Sequence, residues 1–275
     1  MKRRWFLTGL ALPVMVAGCK AAGTASAPDA EAGLENAEGE SIQVVRNNKT
    51  LVMATTANYP PYEQVLEQTT AGNDSESVNI VGFDIDIAKL IAERLERQLT
   101  IVDLEFGALI PALMNDEVDM AMAALEPNRS RKQKVDFSNI YYRARHALVS
   151  LDGYLRSRDL RYQTIGLLAN SVQARYADTT DELGELDIVP YRTVREIFEA
   201  LDMGAIEGAL LEANVAAAYL DRYPDFAAQL MPTEEATGSA IALPKNSSLR
   251  RDINRALSDI KASGEMDQLI AQWFG

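Results

Sequence analysis

From Leu51 to the C-terminus, short apolar runs alternate with segments of helical periodicity, and the alternation passes through two cycles. In the first cycle Leu51–Thr55, Leu99–Val102 and Val118–Ala123 read as strands. Between the first two, Ile87, Leu90, Ile91 and Leu95 fall on one helical face, and Leu109, Ile110 and Leu113 mark a second, shorter helix. Tyr59-Pro60-Pro61 demands a loop, because proline fixes φ and offers no donor to a ladder. Residues 67–78 form a polar loop, Ser130–Lys134 a basic exposed turn or short helix, and Tyr142–Leu151 a long extended stretch. The second cycle places strands at Thr164–Leu168, Asp187–Pro190 and Gly208–Leu211. Its helices fall near Ser171–Ala177, Val194–Leu201 and Ala213–Leu220. Gly238–Leu243 reads as one more strand, and helices Leu249–Lys261 and Glu265–Phe274 close the chain. Strands and helices alternating at this spacing predict an α/β architecture with mostly parallel sheets.

The N-terminus carries a different message. Lys2, Arg3 and Arg4 precede an apolar run from Trp5 to Val16, too short to span a bilayer and typical of a secretory signal. Val16-Ala17-Gly18-Cys19 looks like a bacterial lipobox, in which Cys19 is lipidated and becomes the mature N-terminus. Arg3-Arg4-Trp5-Phe6-Leu7 resembles the twin-arginine export pattern. An ordinary cleaved signal with an incidental cysteine is the plainer alternative. Residues 19–42 are rich in Ala, Gly, Ser, Glu and Pro and nearly lack large apolar side chains, so they are expected to be a flexible tether.

Composition excludes several classes. One cysteine rules out a disulfide framework, and one cysteine with one histidine argues against a structural zinc site. Lys plus Arg number 27 against 40 for Asp plus Glu, a net charge of −13 that becomes −16 once the three basic residues of positions 1–18 are removed. Such a surface repels phosphate, which argues against a non-specific nucleic-acid binder.

Several short motifs occur in one order and spacing: Gly82-Phe83-Asp84-Ile85-Asp86, Leu109-Ile110-Pro111-Ala112-Leu113, Val118-Asp119, Arg131-Lys132, Val135-Asp136-Phe137-Ser138, Tyr141-Tyr142 and Trp273-Phe274-Gly275. Together they resemble family 3 of the bacterial extracellular solute-binding proteins, the polar amino-acid-binding components of ABC importers, over about residues 50–275. The resemblance implies a two-lobed periplasmic-binding-protein fold. Each lobe would be a mostly parallel sheet flanked by helices, joined by two hinge strands near His146–Leu151 and Gly238–Leu243. Lobe 1 would comprise 43–147 plus 239–275, and lobe 2 148–238. The lobes would close on a free amino acid, with no cofactor or metal, and the partners would be permease subunits and, through the lipid, a membrane.

The resemblance also assigns residues. Arg131 matches the arginine that grips the ligand carboxylate, a job a guanidinium does through two parallel hydrogen bonds; a solvated charge within a basic cluster is the alternative. Glu212 matches an acid that holds the α-ammonium, although it also stands where a first-turn helix acid is favoured. Tyr59 and Phe106 match aromatic positions that sandwich the side chain. Ala123 and Ala124 match positions that offer backbone carbonyls. Glu126 stands where relatives carry Ser or Thr, and Thr56 where several carry Asp. The loop Leu168–Gln173, including Ser171 and Val172, replaces a glycine-rich carboxylate-binding segment, and Ser171 can cap the helix that follows. Leu211, with Thr56 and Leu168, is expected at the far end of the pocket. Arg131 against Glu126 and Glu212 leaves the site one negative charge in excess. A basic or neutral polar ligand is therefore expected over an acidic one, with a slight preference for basic. Two other readings stay open: an enzyme on the same fold, of the cyclohexadienyl dehydratase kind, using Glu126 or Glu212 as acid or base, and a ligand-sensing domain. His146 is expected to be structural.

Overall fold

The computed structural model describes residues 30–35, 41–46, 49–66, 79–156, 160–179, 186–231 and 238–275. The basic leader, the Cys19 box and residues 20–29 lie outside the described residues. Strands β1 (Ala30–Glu35) and β2 (Ser41–Arg46) pair antiparallel, with Ala30 opposite Arg46 and Glu35 opposite Ser41. Of the tether expected over 19–42, residues 19–29 and 36–40 lie outside the described residues, and the described part is paired in this hairpin. Composition tells whether a segment can bury a core, whereas a hairpin ladder satisfies its backbone groups without one.

The first α/β cycle begins with β3 (Thr50–Thr55). A small antiparallel sheet follows, made of β4 (Asn58–Tyr59), β5 (Glu63–Leu66) and β6 (Asn79–Val81). Helix α1 (Phe83–Arg94), β7 (Gln98–Asp103), a 3₁₀ turn (Phe106–Ala108), α2 (Leu109–Met114), β8 (Met120–Ala121), α3 (Arg129–Lys134) and β9 (Asp136–Arg143) complete it. The second cycle runs β10 (His146–Leu151), β11 (Thr164–Leu168), α4 (Val172–Thr179), β12 (Asp187–Tyr191), α5 (Val194–Asp202), β13 (Gly208–Glu212), α6 (Ala213–Leu220) and β14 (Phe226–Leu230). The chain then returns as β15 (Gly238–Leu243), α7 (Leu249–Ala262) and α8 (Glu265–Phe274).

Two five-stranded sheets organise these elements, in orders β7-β3-β8-β15-β9 and β12-β11-β13-β10-β14. The two-lobed α/β plan is thus present, with β15 threading back into the first sheet after the second is complete. The parallel character holds for β7, β3 and β8 in one sheet and for β12, β11 and β13 in the other. The remaining pairings are antiparallel, so each sheet is mixed. Strands that carry the chain between sheets do not return through a helix, and so are free to pair antiparallel.

The crossing points differ slightly from expectation. β10 belongs wholly to the second sheet and β15 wholly to the first, so the outward crossing is the short link Ala144-Arg145. Its far side is tied by the Met231 amide donating to the His146 carbonyl (2.9 Å) and the Ala213 amide donating to the Arg145 carbonyl (2.8 Å). β14 was not anticipated; Phe226-Ala227-Ala228 offers no strong β-branched signal.

One glycine fixes a local geometry that matters below. Gly82 has φ +146°, and a Cβ there would fall 2.0 Å from the Tyr62 carbonyl oxygen. The Phe83 and Asp84 amides donate to the carbonyls of Pro61 (3.0 Å) and Tyr62 (3.1 Å). The start of α1 is thereby laced to the turn that carries Tyr62 and Glu63. α1 then buries Phe83, Ile85, Ile87, Ala88 and Ile91 against the sheet.

Candidate ligand-binding cleft

The segments that follow β3, β7 and β8 in one sheet meet those that follow β11, β12 and β13 in the other around a cleft. Ligand sites of open α/β sheets lie beyond the carboxyl ends of strands for this reason: the loops there are free to vary while the strands fix their origins. The eleven residues singled out from sequence all line this one cleft: Thr56, Tyr59, Phe106, Ala123, Ala124, Glu126, Arg131, Leu168, Ser171, Val172 and Glu212. Leu211 does not join them; it is buried in the apolar core with Ala209 and Val215. Period-2 alternation along β13 sends its side chain away from the wall on which Glu212 lies.

Arg131 is held from three sides. Asn128 caps α3 by accepting the Arg131 amide (2.8 Å), which sets the helix start. The guanidinium donates through Nη1 to the Glu126 carbonyl (3.0 Å) and through Nη2 to the Asn170 carbonyl of the other lobe (3.2 Å). It also lies over the Phe106 ring, 5.4 Å from the centroid. Burial pulls its pKa down to about 10, with Glu126 acting in the opposite direction. It is a fixed cation, and its contact with Asn170 draws the two lobes together.

Glu212 ends β13 and is 5% exposed. The hydroxyl of Tyr62, from the other lobe, donates to its Oε1. Burial pushes the Glu212 carboxyl up to about 8 despite that hydrogen bond, and Glu126 and Asp84 add to the rise. Tyr62 is fully buried among Tyr59, Phe83, Tyr142 and Phe274, with ring centroids 5.2–6.2 Å apart. The C-terminal Phe274 also sits 4.6 Å from both Phe83 and Tyr142, so the last turn of α8 buttresses this wall.

Thr56 spends its hydroxyl on the Leu104 carbonyl (2.9 Å). Ser171 accepts the Ala174 amide (3.1 Å) and so caps α4 as expected. His146 shares a hydrogen bond between its Nδ1 and the Gln173 side-chain nitrogen (3.1 Å), and burial lowers its pKa. It braces the α4 wall, in keeping with a structural role. At the rim, Arg192 after β12 pairs with Glu105 across the lobes at 3.2 Å, both largely exposed. Deeper in, Asn214 donates to the Tyr142 hydroxyl (2.6 Å).

Four lining residues escaped the sequence reading: Asn58, Glu63, Gln173 and Arg192. Glu63 is the consequential one. It is fully buried, and among the described residues neither of its carboxyl oxygens meets an N–H or O–H donor. Its neighbour is Asp84, also fully buried, whose Oδ1 accepts the Tyr141 hydroxyl (2.7 Å) and whose Oδ2 accepts the Ala124 amide (2.9 Å). That second bond holds Ala124 at φ +47°, a conformation unfavourable for alanine, so the cleft floor is fixed by a buried acid. Burial first, and then the Asp84 charge, hold Glu63 well above the usual carboxylate range. The available signal was an acid set directly after Pro60-Pro61-Tyr62, in a loop that must turn back onto the cleft.

Residues 51–275 match bacterial extracellular solute-binding proteins, family 3. The chain belongs to this family. An arginine-binding extracellular protein of Bacillus subtilis (strain 168) is 30% identical over 246 residues, covering 88% of this chain and 91% of that protein. ABC transporter arginine-binding protein 1 of Escherichia coli (strain K12) is 29% identical over 224 residues, covering 79% and 88%. Among solved structures, the substrate-binding protein of an amino acid ABC transporter superposes with TM-score 0.72 at 34% identity, covering 82% of this chain and 99% of that one. A Salmonella typhimurium periplasmic binding protein described by its high arginine specificity superposes with TM-score 0.72 at 29% identity, covering 82% and 100%. In this family 3 member, solute binding is the function of the cleft, and closing the lobes is the motion that serves it.

Proposed function

We propose that this family 3 protein captures a free amino acid between its lobes as the binding component of an ABC importer, and that the ligand carries a cationic side chain, arginine foremost. The observation that carries the proposal is Glu63: a fully buried carboxyl on the cleft wall that meets no donor among the described residues. A buried carboxyl without a donor is costly, and a guanidinium or ammonium side chain would supply the missing bonds. Glu63, Glu126 and Glu212 line the cleft against one half-buried cation, Arg131, while Arg192 is engaged at the rim by Glu105. An acidic ligand would bring a fourth carboxyl group into a wall that already holds three.

The remaining roles follow from chemistry. Arg131 and the backbone N–H groups at the start of α4, behind Ser171 and Val172, receive the ligand carboxylate. Glu212 and the Ala123–Ala124 backbone receive its α-ammonium. Tyr59 and Phe106 bury its methylenes, and an aromatic face beside a guanidinium adds cation–π attraction. Thr56 and Leu168 fill in the wall. Relatives named for arginine and for histidine support a basic ligand. We place the lobe boundaries at the Ala144-Arg145 link and before Gly238, and we place the protein outside the cytoplasm, exported by the twin-arginine route and anchored to a membrane through lipid on Cys19.

Calorimetric titration with arginine, lysine, glutamine and glutamate tests the ligand class. Arginine is expected to bind at least about 100-fold more tightly than glutamate, equivalent to about 2.7 kcal/mol. Tight glutamate binding would overturn the charge argument.

A further inference from the structure

The wall of the cleft that holds Glu63 brings two buried acids together. Glu63 and Asp84 are both fully buried and face each other, and two carboxyl groups hydrogen-bond only when one of them is protonated. Both Asp84 oxygens already accept bonds, from the Ala124 amide and the Tyr141 hydroxyl, as an ionised carboxylate requires. Among the described residues neither Glu63 oxygen accepts any, which makes Glu63 the member of the pair placed to carry a proton. The titratable groups that face Glu63 are Asp84 on α1, Asp103 at the end of β7, Glu212 at the end of β13 and the phenol of Tyr59. Tyr141 on β9 faces Asp84, while Tyr62 and Glu126 face Glu212. None of these groups is a cation, so among the described residues none of them favours an ionised Glu63.

We propose that capture in this cleft is an exchange: the ligand's side-chain cation enters against Glu63 as the proton that Glu63 shares with Asp84 leaves, with Asp84 the positioning residue that keeps that proton in place beforehand. The proposal rests on the basic-ligand reading above. In the step the O–H bond of Glu63 breaks, its electron pair stays on the carboxylate and the proton passes to water; nothing is oxidised or reduced. One positive charge enters for each that departs. The net charge of the buried wall therefore stays the same through the exchange, and no further unbalanced charge is created in a low-dielectric site.

The exchange separates arginine from its neutral isostere citrulline. Citrulline fills the same space but brings no cation, so it leaves the Glu63 proton in place. Both ligands present the same α-ammonium to Glu212, so any proton lost there cancels in the comparison. Below the ligand-free pKa of Glu63, the affinity ratio of arginine to citrulline should rise about tenfold per pH unit, the slope of one linked proton. Asp84 also fixes the Ala124 amide, so removing its charge tests the proton and removing its bond tests the floor of the site.

Calorimetry in buffers of different ionisation enthalpy reads the proton count directly. The expected result is about one more proton released by arginine than by citrulline near neutral pH. Glu63→Gln, which keeps shape and removes the proton, should abolish that excess. Asp84→Asn should move the pH profile of the excess to lower pH while citrulline binding persists, a shift that loss of packing alone would not produce. Equal proton release by the two ligands with a pH-independent affinity ratio, or an undiminished excess in Glu63→Gln, would overturn the exchange and leave the basic-ligand reading standing. Citrulline binding as tightly as arginine at every pH would instead overturn the basic-ligand reading itself, and the exchange with it.

Discussion

Replacing Arg131 with alanine removes the half-buried cation of the cleft and the donor that reaches across to the second lobe. The guanidinium makes hydrogen bonds of 3.0 Å to the Glu126 carbonyl and 3.2 Å to the Asn170 carbonyl. In the closed complex its remaining N–H groups would meet the ligand carboxylate. Hydrogen bonds to charged groups contribute about 1.5–3 kcal/mol, and stripping one partner from a buried pair costs about 2–5 kcal/mol because the other is left unpaired. The Asn170 contact stabilises closure itself and its loss adds to the same side. A net loss of about 2–4 kcal/mol is expected, or about 30- to 700-fold in Kd. Arg131→Lys should fall between, since it keeps the charge but not the planar fork and the stacking on Phe106. Isothermal titration of arginine against the three proteins measures it, with thermal melts to verify that each is folded. Near-parental affinity in Arg131→Ala would show that Arg131 is a structural cation and that the carboxylate is held elsewhere.

Tyr62→Phe removes the hydroxyl that donates to Glu212 and should weaken ligand binding by about 1–3 kcal/mol, measured by titration; an unchanged Kd would show that the bond does not prepare Glu212 for an ammonium group. The Glu105–Arg192 pair is largely exposed, so Arg192→Ala should change Kd by less than about fivefold, and a larger loss would mark Arg192 as a direct ligand contact. Gly82→Ala would drive a Cβ against the Tyr62 carbonyl at a positive φ, and should lower stability by about 2–4 kcal/mol in chemical denaturation; a neutral effect would refute the close packing of α1 on that turn. Asp84 at about 6 and Glu212 at about 8 are raised above their ordinary values of 3.8 and 4.5, so the folded state holds protons that the unfolded chain releases. Ligand-free stability should therefore fall as pH rises from about 5 to about 8, by up to about 1.4 kcal/mol per unit for each such group, and melting temperatures that climb across that window would contradict it.

The order of strands and helices was legible because each element carries its own period: the Ile87, Leu90, Ile91 face of α1 and the apolar run of β3 need no partner to be recognised. The cleft was legible to the extent that its residues sit at strand ends, as Glu212 and Leu168 do. What stayed hidden depends on pairing over distance. β14 has a weak local signal and is stabilised by β10, with partners 75 to 83 residues apart. The β1–β2 hairpin satisfies its backbone by pairing rather than burial, which a compositional argument does not weigh. Glu63, Asp84 and Tyr141 are ordinary exposed-residue types in the sequence. Only folding shows that a positive-φ glycine packs α1 against the Pro60-Pro61 turn and buries the two acids together.

The central claim is the orientation of a basic amino acid in the cleft, and a crystal structure of the arginine complex tests it most directly. The account predicts the ligand carboxylate on Arg131 and the start of α4, the α-ammonium on Glu212, and the guanidinium within hydrogen-bonding distance of the Glu63 carboxylate. A ligand seated with its side chain toward the Arg192–Glu105 rim, leaving Glu63 without a donor, would contradict it.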